Sequence, residues 1–131
     1  ERCRPVIDSP ADIVIVEGAG GWLVPLNDQK TVADLAGPLG CEIILVVGLK
    51  LGCLNHALLT VASIEASGLK LAGWVANHLS SNMPYSHENI ATLKGKIAAP
   101  LIAEIPFLSA IDKESSAVYI NIPTLLEETA S

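Results

Sequence analysis

Four short groups in this sequence hold residue types that could do chemistry. The first is Glu17-Gly18-Ala19-Gly20-Gly21, an acid followed by small residues. A carboxylate suits a hard cation such as Mg²⁺, which takes oxygen ligands and is held in nucleotide sites by few carboxylates. The glycines would let backbone N–H groups approach phosphate oxygens with no Cβ in the way. The alternative is a solvent-facing Glu17 that opens a glycine-rich turn. The second group is Gly48-Leu49-Lys50-Leu51-Gly52-Cys53-Leu54-Asn55-His56. It leads into a helical pattern, so free N–H groups and the helix dipole would favour an anion, with Lys50 adding a point charge. A plainer account makes Asn55 an N-cap, Lys50 a solvated lysine, and His56 a surface or capping residue. The third group, Asn77-His78, offers an amide with both donor and acceptor, as needed to read the edge of an adenine ring, or else an ordinary turn. The fourth is Pro106-Phe107-Leu108. Trp22 and Trp74 read as core or interface aromatics. Met83, Pro84 and Tyr85 read as loop, and Cys53 has no evident partner.

Each group follows an apolar run. Residues 12–16 are Asp-Ile-Val-Ile-Val, residues 43–47 are Ile-Ile-Leu-Val-Val, and residues 71–76 are Leu-Ala-Gly-Trp-Val-Ala; a weaker run covers residues 100–105. Unbroken Val/Ile without alternation predicts strands buried on both faces, as in parallel sheets. Helical spacing predicts helices between them. One covers residues 31–39, with Thr31 as N-cap and Asp34 in the first turn. A second covers residues 55–67, with Leu58, Val61, Ala62 and Glu65 at helical spacing and Gly68 as its stop. A third covers residues 87–97. Strand–helix alternation implies an α/β fold: a single domain over residues 1–131 with a doubly wound, mostly parallel sheet and flanking helices. Ligands of such sheets bind beyond the carboxyl ends of the strands, where all four groups would converge.

Composition narrows the partners. The 131 residues carry 8 Lys+Arg against 14 Asp+Glu, a formal net charge of −6. That balance disfavours nucleic acid or an anionic membrane, both of which need a positive field. A mean hydropathy of +0.47 excludes a disordered chain. The apolar run at residues 43–49 falls far short of the roughly 20 residues of a bilayer helix, so no membrane segment is expected. Three cysteines, with no C-x-x-C pair, point to reduced thiols rather than disulfides or zinc. No basic apolar leader is present, and a cytoplasmic location is the expectation.

Taken together, Val16–Trp22, Val46–Ala57 and Ala72–Asn77, with the stretch Ala99–Leu108, resemble dethiobiotin synthetases in order, spacing and wording. The Glu-Gly-Ala-Gly-Gly turn alone is shared with other amidoligases such as cobyrinate and cobyrate synthases. The Lys-Leu-Gly-Cys-Leu-Asn-His and Gly-Trp-Val-Ala-Asn stretches are more specific. The resemblance implies a P-loop NTPase-like fold and a cytoplasmic homodimer that uses ATP and Mg²⁺. Its reaction would join CO₂ to 7,8-diaminononanoate through a carbamate and a carbamic-phosphoric anhydride. It also implies Glu17 as the Mg²⁺ carboxylate, and Glu17, Gly18, Ala19 and Gly20 as a nucleotide-contacting turn. Asn77 and His78 would lie at the base, flanked by Pro106, Phe107 and Leu108. Lys50, Leu51, Gly52 and Asn55 would line the substrate site near the dimer seam. Two departures stand out. Where the family places an acid to meet the ribose, this chain has Lys113 between Asp112 and Glu114, so that role stays open between the two acids. The family's G-x-x-x-x-G-K-[ST] loop is absent, since Gly95-Lys96 leads into Ile97. The expectation is therefore the C-terminal part of a longer enzyme, without ring-closing activity alone and with a bared sheet edge. The alternatives are another P-loop amidoligase or a non-catalytic nucleotide-binding or assembly module.

Overall fold

The computed structural model describes residues 4–110 and 117–120, and the chain divides between Cys41 and Glu42 into two units. The first unit holds two short helices, α1 (Arg4–Ile7) and α2 (Ala33–Leu39), joined by irregular backbone. The second alternates strand and helix in the order β1 (Ile43–Leu49), α3 (Cys53–Ala66), β2 (Leu71–His78), α4 (Ser86–Lys96) and β3 (Leu101–Ile105). Its three strands are parallel in the spatial order β1-β2-β3. The α/β class and the parallel sheet with flanking helices are those the alternation predicts.

Burial explains the order. β2 is the central strand, and its residues Ala72, Trp74, Val75 and Ala76 are all buried. Such a strand can contain no polar side chain except at its tip. Alternation puts Trp74 and Ala76 on one face, where they pack with Val47 and Leu49 of β1, Cys53, Ala57 and Val61 of α3, and Ile90 and Leu93 of α4. The opposite face carries Val75, Ile102 and Ala103. Gly73 permits the close approach of β3, because a Cβ there would lie 2.7 Å from Ile102 Cγ2. The α3 stripe is Cys53, Ala57, Val61 and Ile64, so the spacing is helical but Ala62 and Glu65 face solvent. Gly68 at φ +71° stops the chain after it, as expected of a left-handed C-terminal residue.

Residues 12–16 depart from expectation. They form no strand, the sheet has three strands rather than four among the described residues, and Ile13, Ile15 and Val16 are 63%, 87% and 47% exposed. β-branched residues favour extended backbone, but a strand exists only where a neighbour completes its ladder. Among the described residues none pairs with this run. Among the described residues β1 likewise has β2 on one side only, and its Ile44 and Val46 are 43% and 58% exposed. The outer edge of β3, in contrast, meets Ile120 through an antiparallel bridge to Ala103. No described helix is long and apolar enough to cross a membrane.

An open apolar edge recruits further strands unless a charge blocks it. The chain should therefore show a mass that rises with concentration in light scattering, and Val46→Lys should suppress that rise. A constant monomer mass at all concentrations would refute edge pairing.

Candidate nucleotide and substrate site

The parallel register determines which polar residues share one end of the sheet. Gly48 pairs with Asn77 and Leu49 with His78, while Asn77 pairs with Ile105. Lys50 and Pro106 directly follow these pairs, so the second, third and fourth sequence groups all begin at the carboxyl end of the sheet. Glu17 and its glycines lie in the first unit, outside the sheet.

Asn77 is half-buried, and no hydrogen bond occupies its amide among the described residues. A half-buried amide in that state keeps both its acceptor and its donors for a ligand. Asn77 and His78 are not turn residues, as they complete β2, and successive side chains of a strand project to opposite faces. His78 points to the face of Ala76, where its Nε2 lies 3.2 Å from Glu104 Oε1 of β3. Sequence reasoning placed Glu104 only as part of an apolar strand. The available signal was a lone acid in Leu-Ile-Ala-Glu-Ile, which a sheet tolerates only with a partner or solvent. Beyond β3, Pro106 and Leu108 are half-buried, whereas Phe107 is 48% exposed.

At the tip of β1 the chain turns through Lys50, Leu51 and Gly52, all exposed, into α3. Gly52 takes φ +89°, a conformation that side-chain-bearing residues rarely adopt. The helix starts at Cys53 rather than Asn55, no side chain caps it, and Asn55 lies exposed in its first turn. The N-terminal amides of α3 therefore keep their dipole uncompensated by any cap. Beside them is an open groove of about 210 Å³, lined in part by Val46, Gly48, Lys50, Cys53, His56 and Thr60. Cys53 is a core residue, 2% exposed.

In the first unit Glu17 is exposed, and no hydrogen bond or ion pair occupies its carboxylate among the described residues. The turn after it depends on glycine: Gly20 and Gly21 have φ +86° and +129°. A Cβ on Gly18 would come within 2.9 Å of Val32 Cγ1, so this turn rests against the corner leading into α2. That corner is held by Asp34, whose Oδ2 accepts from the Thr31 amide at 2.8 Å and from its hydroxyl at 2.9 Å. Asp34 thus ties the start of α2 back to Thr31, while Val32 rather than the expected Thr31 holds the N-cap position and no side chain caps the helix, because the helix begins two residues later than its spacing predicts. The Thr31 backbone N–H, then its hydroxyl, hold the Asp34 carboxyl below the usual aspartate range. Lys113 and its neighbours Asp112 and Glu114 lie outside the described residues.

Comparison with known proteins gives these positions a family. The model of an AAA domain matches residues 5–115. A protein of Cellvibrio japonicus named ATP-dependent dethiobiotin synthetase BioD is 49% identical over 117 residues, covering 89% of this chain and 51% of that protein. Proteins of the same name from a Janthinobacterium species and from Aromatoleum aromaticum are 46% and 49% identical, covering 95% and 93% of this chain. The alignments take up 53% and 56% of those two relatives, so the chain spans about half the length of the curated proteins it matches.

The Asp34 contact has a pH signature. A carboxyl with a depressed folded pKa contributes stability above the ordinary aspartate value of about 3.9 and loses it as pH falls through the folded value. The carbon resonances of the Asp34 carboxyl should therefore titrate below that value, and Thr31→Ala should move the midpoint upward. A midpoint at the ordinary value in the unmodified chain would remove the contact.

Proposed function

The chain belongs to the AAA-domain family and is a relative of the dethiobiotin synthetases, and on that premise we propose that it supplies nucleotide- and substrate-binding residues of an ATP-dependent dethiobiotin synthetase acting as a homodimer. The observation carrying this reading is 46–49% identity over 89–95% of the chain to proteins of that name. In the proposed reaction one amine of 7,8-diaminononanoate adds to CO₂ and loses a proton, giving a carbamate. The carbamate oxygen takes the γ-phosphoryl group of ATP, releasing ADP. The second amine then attacks the carbamoyl carbon, closing the cyclic urea and expelling phosphate.

The demand on the protein is mainly to hold polyanions and an uncharged amine in line, so positioning and charge stabilisation dominate. Glu17 has a free, exposed carboxylate, a donor suited to Mg²⁺, which binds one or two carboxylates and completes its shell with phosphate oxygens and water. When bound, the ion would neutralise charge that develops between the phosphates. Glycines 18 and 20 lie in the turn whose backbone N–H groups would meet phosphate. Asn77, with its unengaged amide, would accept from the 6-amino group of adenine and donate to a ring nitrogen, with Pro106, Phe107 and Leu108 beside the base. Lys50, Leu51, Gly52 and Asn55, at the uncapped start of α3, would receive the substrate's distal carboxylate, favoured there by amides and lysine together.

The test is a chimera in which this chain follows the N-terminal half of the Cellvibrio japonicus relative. The chimera should form dethiobiotin from 7,8-diaminononanoate, CO₂ and ATP, whereas this chain alone should give no turnover. An inactive but folded and ATP-binding chimera, or turnover by the chain alone, would count against the reading. Within the chimera Glu17→Ala should lower Mg²⁺-dependent kcat by about a hundredfold or more, on the scale of losing an electrostatic contact in the transition state. Asn77→Ala should instead raise KM for ATP and narrow its advantage over GTP by about tenfold, the worth of one good polar contact. Unchanged activity at limiting Mg²⁺ would remove Glu17 from the metal's shell, and unchanged nucleotide preference would reduce Asn77 to a strand terminus.

A further inference from the structure

We infer that Glu104 is a positioning residue that fixes the tautomer and orientation of His78 at the nucleotide end of the sheet. The inference rests on the nucleotide reading of Asn77 and His78 given above. Its own support is the geometry of two adjacent strands. Glu104 pairs with Ala76 in the parallel register, and His78 lies two residues further along the same face. The carboxylate reaches along that face to bring Oε1 within 3.2 Å of His78 Nε2. The His78 side chain is only 15% exposed and that of Glu104 is 39% exposed. The imidazole is thus mostly enclosed, while the carboxylate that holds it keeps access to solvent.

The chemistry of the pair dictates the tautomer. An ionised carboxylate can only accept, so the ring nitrogen facing it must carry the hydrogen. With Nε2–H given to Glu104, the neutral imidazole is left with its lone pair on Nδ1. His78 then presents an acceptor at the tip of β2, on the face opposite to Asn77, suited to a hydrogen-bond donor of the nucleotide. Two such donors exist, the 6-amino group of the adenine ring and a ribose hydroxyl. Without Glu104 the ring would populate both tautomers and turn more freely, and the acceptor would be present only part of the time.

The experiment uses the chain itself, labelled with ¹⁵N-histidine and held at about pH 8, above the ordinary imidazole range. Long-range proton–nitrogen correlations report the tautomer of each histidine, and loss of one set in His78→Asn assigns His78. The unmodified chain and Glu104→Gln, whose amide oxygen still accepts, should show the Nε2–H form, while Glu104→Ala should show a mixture. ATP should bind Glu104→Ala about fivefold more weakly than the unmodified chain, with Glu104→Gln restored to within about twofold, the size of one neutral hydrogen bond. If inosine triphosphate, which lacks the 6-amino group, erases the difference between variants, the donor is the base; if 2′-deoxy-ATP or 3′-deoxy-ATP does so, the donor is the ribose. An Nδ1–H form in the unmodified chain, or a tautomer indifferent to Glu104→Ala, would overturn the inference. So would Asn77→Ala weakening ATP binding while Glu104→Ala does not, an outcome that leaves the nucleotide reading intact. Should ATP leave the His78 resonances unmoved and bind Asn77→Ala as it binds the unmodified chain, the nucleotide reading itself would fall and the ligand role of His78 with it.

Discussion

The hydrogen-bond ladder on either side of β2 is the constraint from which the second unit follows. Parallel pairing makes every strand end at the same edge, and the register places Gly48, Asn77 and Ile105 abreast. Because β2 is buried along its length, its polar residues can occur only where the ladder runs out. The same geometry leaves the two residues at its tip on opposite faces. Asn77 keeps its amide unengaged on one, while His78 meets Glu104 on the other. A change of register by one residue would exchange these faces and separate the pair.

Close packing sets the tolerances around this edge. Gly73 brings β3 against β2 with no space for a methyl group, and Gly48 lies under Leu79 Cδ1 at 2.9 Å from where a Cβ would stand. Trp74 fills the core between β1, α3 and α4 and is fully buried. The start of α3 is built for approach rather than closure. A left-handed glycine stands where a capping side chain could, so no side chain caps the helix, although the Cys53 amide donates to the Lys50 carbonyl at 3.0 Å. The first unit uses a different device. Its glycine turn depends on positive φ at Gly20 and Gly21 and rests on the corner that Asp34 ties to Thr31.

Much of this was legible because it is local. Helical spacing and the Gly68 stop located α3 to within two residues at its start, and the runs at 43–47 and 71–76 located β1 and β2. The Thr31–Asp34 corner was legible only in part: both residues lie within one turn, but the helix starts at Ala33 with Val32 rather than Thr31 at its N-cap, and Asp34 bonds back to Thr31 instead of Thr31 capping the helix. The run at 12–16 was misread because propensity describes a backbone's preference, and a strand requires a partner as well. Glu104 was missed because its role depends on a residue 26 positions away in the chain.

By itself the sequence determined the α/β alternation, the lengths of its elements, and the polar residue types that end each strand. Those properties follow from side-chain volume, branching and hydropathy over a few neighbouring residues. It also carried the family, since the chain is 46–49% identical to the synthetase relatives over 89–95% of its length. Only the tertiary structure decided which runs became sheet, which faces Asn77 and His78 present, and that Glu104 meets His78. Ladder pairing and register join residues distant in the chain, and no local pattern encodes how far one strand slides along another.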